Sequence, residues 1–442
     1  MDNSTISPLD SRYAKDTQCV KKYFTEYAFF KYRLRIELEY FKDLLQQEIP
    51  ELLEIDPDIY NPKIDNITKE FTYEEYLKVK ELEKVTNHDV KALEYYIRER
   101  FTEIGLGKFT SFVHIALTSQ DVNNSAISMS VMNFIQDEYL NHHISKLMSK
   151  LHSLTIEWKD IVMLSRTHGQ PAVPTTMGHT FSVFHYRLEQ QLIQLKETKY
   201  YGKFGGASGN LNAHKLIYPY INWEEFGERL LDKFGLMRSR KTTQIESYDS
   251  LATVFDNLAR INRILINMSQ DIWMYIMLDY LKLRAVKTET GSSTMPHKVN
   301  PINFENAEGN LKWANYQLYG LSDKLQISRL YRDLSDSTVL RNLGVVFGHI
   351  LVAINNLMKG LDKIDINQAK LDQDIEDNYS VVSEAIQTVL RKYGKLDAYE
   401  QLKDFCRGNP SLNREDFTKF IQDLDVDAFL KYELEQIDLK TY

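Results

Sequence analysis

The chain has 442 residues, a hydrophobic share of 43%, a charged share of 26% and a net charge of −8. That is the balance of an ordinary soluble protein with room for a large core in two or three domains. The negative excess excludes a general nucleic-acid-binding surface, so any anionic ligand must be held by local cations. Two cysteines, Cys19 and Cys406, are too few to build a disulfide framework or a Cys-based zinc site from cysteines alone. The first residues lack a basic region followed by an apolar run, so no export signal is expected. The longest apolar run, Ile272 to Leu278, is too short to cross a bilayer.

In chain order, Thr86-Asn87-His88-Asp89 sets a histidine beside a carboxylate, a pattern that also suits a plain surface pair. Residues 114–124 read His-Ile-Ala-Leu-Thr-Ser-Gln-Asp-Val-Asn-Asn. Thr118, Ser119 and Asp121 predict the N-cap of a following helix, and such an end also presents free amides to a carboxylate. No proline occurs between Pro62 and Pro171 or between Pro301 and Pro410, which leaves room for long helices. Leu140, Ile144, Leu147, Leu151, Leu154 and Trp158 form one apolar stripe at helical spacing. Met177, Phe181, Phe184, Leu188, Leu192 and Leu195 form a second, and the run from Leu251 to Ile276 a third. Helices of about 30 residues reach roughly 45 Å, and several of them argue for an elongated bundle.

Between these stripes, Ser-Arg-Thr-His-Gly-Gln-Pro-Ala at 165–172 puts His168 in a turn rather than mid-helix. Gly205-Gly206-Ala207-Ser208-Gly209-Asn210 is neither a P-loop nor a dinucleotide fingerprint and reads as a tight turn leading to Asn212 and His214. Adjacent His142 and His143 make no metal site without other ligands. The 272–278 segment, apolar nearly all round, wants burial on every side and points to self-association. Residues 291–301, Gly-Ser-Ser-Thr-Met-Pro-His-Lys-Val-Asn-Pro, read as a polar interhelical loop. Its hydroxyls, amides and lysine could face an anion. In 329–342, Arg332, Ser337 and Arg341 could converge on one anion if helical, and a guanidinium fork suits phosphate. Residues after about 360 look like a small C-terminal helical domain.

The string at 291–301 resembles the signature loop of the fumarase/aspartase superfamily, whose members eliminate fumarate from succinyl-type substrates. His297-Lys298 after Met-Pro resembles the adenylosuccinate lyase branch. Fumarases and aspartases carry glycine, and argininosuccinate lyases glutamine, where His297 stands. The segment around His168 resembles the branch's catalytic-histidine segment, and the other segments follow in the family's order from Ser11 to about Asn342.

The resemblance implies an all-α fold of three domains: 1–115 helical, 116–360 a central long-helix bundle with the signature loop, and 361–442 helical. The bundle would assemble into a homotetramer whose active sites are shared between subunits. It implies Ser292 as general base and His168 as general acid, with His88, Lys298 and Glu305 in the catalytic set. Arg12, Tyr13, Arg332, Ser337 and Arg341 would hold a phosphate. Thr118, Ser119 and Gln244 would form the succinyl pocket, with Lys298 and Asn300 on a carboxylate. Ser293 would donate a hydrogen bond, and Asn87, His88, Asp89, Asn306 and Thr338 complete the substrate contacts. Asn306 and Val299 stand where some members carry arginine. Expected substrates are adenylosuccinate and succinylaminoimidazole carboxamide ribotide, in the cytoplasm, with no metal, organic cofactor, nucleic acid or membrane. A sister lyase acting on argininosuccinate, and a non-catalytic scaffold, are the competing readings.

Overall fold

The computed structural model describes residues 5–284, 295, 297–409 and 412–442. Within them the chain is helical, with strands confined to three two-stranded pairs, as the all-α expectation requires. The chain divides into two compact units. One comprises Met1–Ser145, Gln191–Arg263 and Gly309–Asn355, the other Lys146–Gln190, Ile264–Glu308 and Asn356–Tyr442. This division runs across the three consecutive spans expected from sequence.

The second stripe reads true. Met177–Glu197 is one helix, and all six stripe residues from Met177 to Leu195 are buried. Asp249–Met277 forms a helix of 29 residues that buries Leu251, Val254, Leu258, Ile261, Leu265, Met268 and Ile272. Each fully buried side chain of this kind stabilises by roughly 1.5–3 kcal/mol. The expected burial on every side around 272–278 is not met within one chain, because Trp273, Met274 and Met277 are exposed. Ser335–Leu361 is long and apolar enough to resemble a membrane span. Its Val346, Phe347, Ile350, Leu351, Val352 and Leu357 are buried inside the protein instead.

The first stripe departs from its spacing. Ser119–Asn133 continues into Phe134–Ile144, which is π-helical, before Ser145–Glu157 resumes the α-helix. In the π stretch Ile135, Tyr139 and Ile144 are buried, whereas Leu140 is only half-buried. Hydrogen bonds from i to i+5 turn the chain less per residue, so the buried face rotates away from the α-helical positions.

In the first unit, Glu26–Leu44 packs against Ser119–Asn133. Small and polar residues of the latter, Asn124, Ser125, Ala126, Ser128 and Ser130, are all buried. In the second unit the helices Gln368–Asp377, Ser383–Lys392, Ala398–Cys406, Arg414–Asp423 and Ala428–Glu435 share a core. Ile375, Val382, Ile386, Leu402, Phe417 and Leu434 belong to it, together with Leu164 from a β-hairpin.

Candidate active site

That hairpin pairs Val162–Thr167 with Gln170–Thr176. Thr167 faces Gln170 directly, so His168-Gly169 is a two-residue turn. Both residues have positive φ, 53° and 77°, which a type I′ turn requires. Glycine takes this backbone freely, and histidine takes it more readily than most side chains. His168 is exposed at the tip. The register shifts between Leu164 and Arg166, and such bulges re-aim a side chain. Arg166 Nη2 donates to both carboxylate oxygens of Asp374, at 2.8 and 2.6 Å, and to the Tyr280 hydroxyl at 3.1 Å. Tyr280 in turn donates to Asp374.

Lys298, Asn300, Glu305 and Asn306 belong to the same unit as His168. Lys298 is exposed, and its amide donates to Met295 O at 3.0 Å. Glu305 lies in the first turn of Ile302–Leu325 and accepts from the Trp273 indole at 3.1 Å. Ser292 and Ser293, the expected base and its neighbour, lie outside the described residues.

The first unit carries the remaining residues. Thr118 caps Ser119–Asn133 through a capping box, with its amide donating to Asp121 Oδ2 at 2.8 Å. The loop before it is wound tightly, with His114 and Ala116 at φ 60° and 59°. His114 Nδ1 lies 2.5 Å from Glu37. Burial opposes charge on His114, but the Glu37 carboxylate prevails and raises its pKa. Asp121 is buried and receives Lys203 Nζ at 2.6 Å, Gly205 N at 2.8 Å and Gly206 N at 3.1 Å. The glycine turn therefore cradles the protein's own carboxylate rather than a nucleotide. His214, just beyond it, is fully buried among Phe204, Trp223 and Tyr40.

Asn87 and His88 form the joint between Tyr73–Thr86 and Asp89–Glu103. Asn87 ends the first helix at φ 48°, and His88 caps the second. His88 Nδ1 accepts from Lys91 N at 3.2 Å, so the neutral ring carries its proton on Nε2. Asp89 turns to Arg33 at 2.8 Å. Burial would raise the Asp89 pKa, yet Arg33 holds it below the usual range.

Arg332 is the centre of a network that sequence reasoning did not foresee. It meets Asp336 at 3.3 Å and Ser337 Oγ at 3.4 Å. With the Gln120 amide turned to satisfy its neighbours, the Gln120 carbonyl accepts from both Arg332 terminal nitrogens at 2.9 Å, and its NH2 donates to Asn124. Tyr248 donates to Asp336 at 3.0 Å and receives Asn124 Nδ2 at 2.5 Å. Gln244 N donates to Tyr331 O at 3.3 Å. The end of the Thr118-Ser119 cap, Gln244, Arg332 and Ser337 are thus drawn together, with Gln120 and Tyr248 as ties that no local spacing announced. Thr338 and Arg341 are exposed on and just after Ser335–Leu340. Arg341 lines a cavity of about 190 Å³ with Ser7, Asp10, Lys21 and Thr25. Arg12 and Tyr13 precede Ala14–Thr17, with the Arg12 guanidinium 5.9 Å from the Tyr13 ring centre.

Two family models match the chain: "Lyase" over residues 12–314 and "Adenylosuccinate lyase C-terminal" over residues 328–442. The adenylosuccinate lyase of Dictyostelium discoideum is 45% identical over 442 residues, covering 98% of this chain and 95% of that protein. The adenylosuccinate lyase of Escherichia coli strain K12 is 40% identical over 423 residues, covering 95% and 92%. Among solved structures, a fumarate lyase from Mesorhizobium sp. BNC1 superposes with a TM-score of 0.75 at 16% identity, over 96% of this chain and 94% of that one. A β-carboxy-cis,cis-muconate cycloisomerase from Acinetobacter calcoaceticus does so with 0.71 at 16% identity, over 98% and 96%. At that identity these two speak for the fold alone. The near-complete matches in sequence speak for more, and the chain belongs to the adenylosuccinate lyase family.

Proposed function

We propose that this carbon–nitrogen lyase cleaves adenylosuccinate to AMP and fumarate, and succinylaminoimidazole carboxamide ribotide to its carboxamide and fumarate. The reaction is a β-elimination. A base takes the proton from the carbon beside a succinyl carboxylate, the C–N bond breaks, and an acid protonates the departing nitrogen. His168 is the acid, since imidazole exchanges protons near neutral pH. Its exposed place at a hairpin tip leaves the ring open to a substrate. Ser292 is the base, and serine needs help for that role: Lys298 and loop amides would stabilise its alkoxide.

The carbanion's charge spreads into the carboxylate, so preorganised donors should contribute most of the acceleration. Lys298 and Asn300 face that carboxylate, and Ser293 donates to the substrate. Thr118, Ser119 and Gln244 form the succinyl pocket. Arg12, Tyr13, Arg332, Ser337 and Arg341 hold the phosphate, and Thr338, Asn306, Asn87 and Asp89 lie along the nucleotide. His88, with its Nδ1 engaged by Lys91 N, presents a neutral Nε2–H as donor. Glu305 orients a histidine. The enzyme works in the cytoplasm as a homotetramer with shared sites, and partner helices cover Trp273, Met274 and Met277.

The observation that carries this reading is 45% identity across 442 residues to a protein named for the reaction. The test is absorbance of purified protein mixed with adenylosuccinate, followed by chromatography for AMP and fumarate. Conversion should vanish in His168→Ala and in Ser292→Ala. Near-normal turnover in either would remove that residue from its role, and no turnover by a well-folded wild type would remove the reading.

A further inference from the structure

Cys19, Glu138 and His143 take no part in the proposed lyase chemistry, yet each brings a ligand atom within 4.8 Å of the other two. Cys19 Sγ and His143 Nε2 are 3.8 Å apart. Around a tetrahedral zinc, with sulfur at about 2.3 Å and nitrogen at about 2.0 Å, two such ligands stand about 3.6 Å apart. One edge of the tetrahedron is therefore nearly formed by the protein alone.

The backbone explains how the three meet. Glu138 and His143 are five residues apart. On an α-helix of 3.6 residues per turn they would point about 140° away from each other. They lie instead in Phe134–Ile144, which is π-helical throughout. Bonding from i to i+5 stacks residues five apart on one face. Cys19 approaches that face from the short 3-10 turn Gln18–Val20. Long π stretches are rare, and π turns are frequent at functional sites. The same turn that moved Leu140 off the apolar stripe brings a carboxylate and an imidazole into register.

The donors also agree chemically. Thiol, imidazole and carboxylate suit a borderline ion such as zinc, whereas magnesium and calcium prefer oxygen alone. Thiolate and carboxylate together balance the charge of a divalent ion. Zinc takes the thiolate form of cysteine, so binding would release a proton. Glu138 already accepts from the Tyr23 hydroxyl at 3.1 Å, which in turn receives Lys22 at 3.1 Å. The carboxylate is held in place before an ion arrives.

We propose that Cys19, Glu138 and His143 form a site for one divalent transition-metal ion of the zinc type, with water as the fourth ligand. The site stands apart from the proposed lyase chemistry. It would clip the turn at Gln18–Val20, a few residues beyond Arg12 and Tyr13, onto the π-helical segment.

The test uses the full-length protein freed of metal by a chelator and titrated with cobalt(II), then zinc(II). One equivalent of cobalt per chain should give a thiolate-to-cobalt charge-transfer band that zinc abolishes, and zinc should raise the thermal midpoint. Cys19→Ser should lose the band and bind zinc at least tenfold more weakly, while Cys406→Ser keeps both. Glu138→Gln and His143→Gln should each weaken zinc at least tenfold, and they serve if Cys19→Ser does not fold. No band in the wild type would overturn the proposal. So would a band that survives Cys19→Ser, or zinc affinity unmoved by all the ligand variants.

Discussion

Arg166 and Asp374, 208 residues apart, join the strand that leads to His168 to the helix Gln368–Asp377, with one guanidinium nitrogen between both carboxylate oxygens. Tyr280 closes the group by hydrogen bonds to each partner. The pair is mostly buried, with side chains 23% and 11% exposed. It anchors the hairpin two residues before the exposed His168. Asp374→Asn should therefore lower kcat by about tenfold to a hundredfold, the scale of a displaced catalytic group. KM should change far less, which separates a positioning effect from general unfolding. Steady-state kinetics on a variant with wild-type circular dichroism checks this.

Gly169 has open space around the position of a Cβ but a φ of +77°. Gly169→Ala should lose about 1 kcal/mol from backbone strain alone. Gly169→Asn should lose less, since asparagine accepts left-handed backbone, and Gly169→Val more. Activity should follow the order Gly, Asn, Ala, Val. Thermal melts and turnover measured on the set test the ranking.

Asp121 and Lys203 are a fully buried ion pair, with side chains 2% and 0% exposed. Asp121→Asn leaves the lysine without its counter-charge and loosens the Thr118 cap. Breaking such a pair costs about 3–5 kcal/mol. Chemical denaturation should show a loss of that size. Thr118→Ala, which removes only the side-chain part of the cap, should lose about 1 kcal/mol.

His214 has no hydrogen-bond partner on either ring nitrogen among the described residues. Burial pushes its pKa down from 6.5 to about 4. The unfolded chain therefore takes up a proton that the folded chain refuses. The stability tied to the neutral ring is fully present above pH 6.5 and is lost as pH falls toward 4. At about 1.36 kcal/mol per unit this amounts to about 3 kcal/mol. His214→Phe should flatten the stability profile between pH 6.5 and 4, which denaturation across that range would reveal.

The helices were legible because their evidence is local. The stripe from Met177 to Leu195 repeats at the α-helical period, and each of its residues is buried. The hairpin around His168 was not, because Pro171 and Pro174 argue against strand and the residues do not alternate in polarity. Only its turn could be read. Thr118 and Asp121 could be read as a cap, but the lysine that neutralises Asp121 lies 82 residues away, and no spacing rule reaches that far. Gln120 escaped notice for the same reason, since its partner Arg332 is remote in sequence. The meeting of Cys19 with Glu138 and His143 was hidden twice over: by distance along the chain, and by a five-residue interval that an α-helix would splay apart.

The two units are each stitched from three separate stretches of chain, and this constrains how the protein is born. A ribosome delivers residues in order, so the first unit lacks its last stretch until Asn355 has emerged. Until then its apolar helices have only some of their packing partners. The nascent chain must spend most of its synthesis with unfinished cores, the condition in which chains collapse slowly and associate wrongly. No cut at a single peptide bond leaves both units intact, so fragment expression should give aggregates where the full chain gives an enzyme.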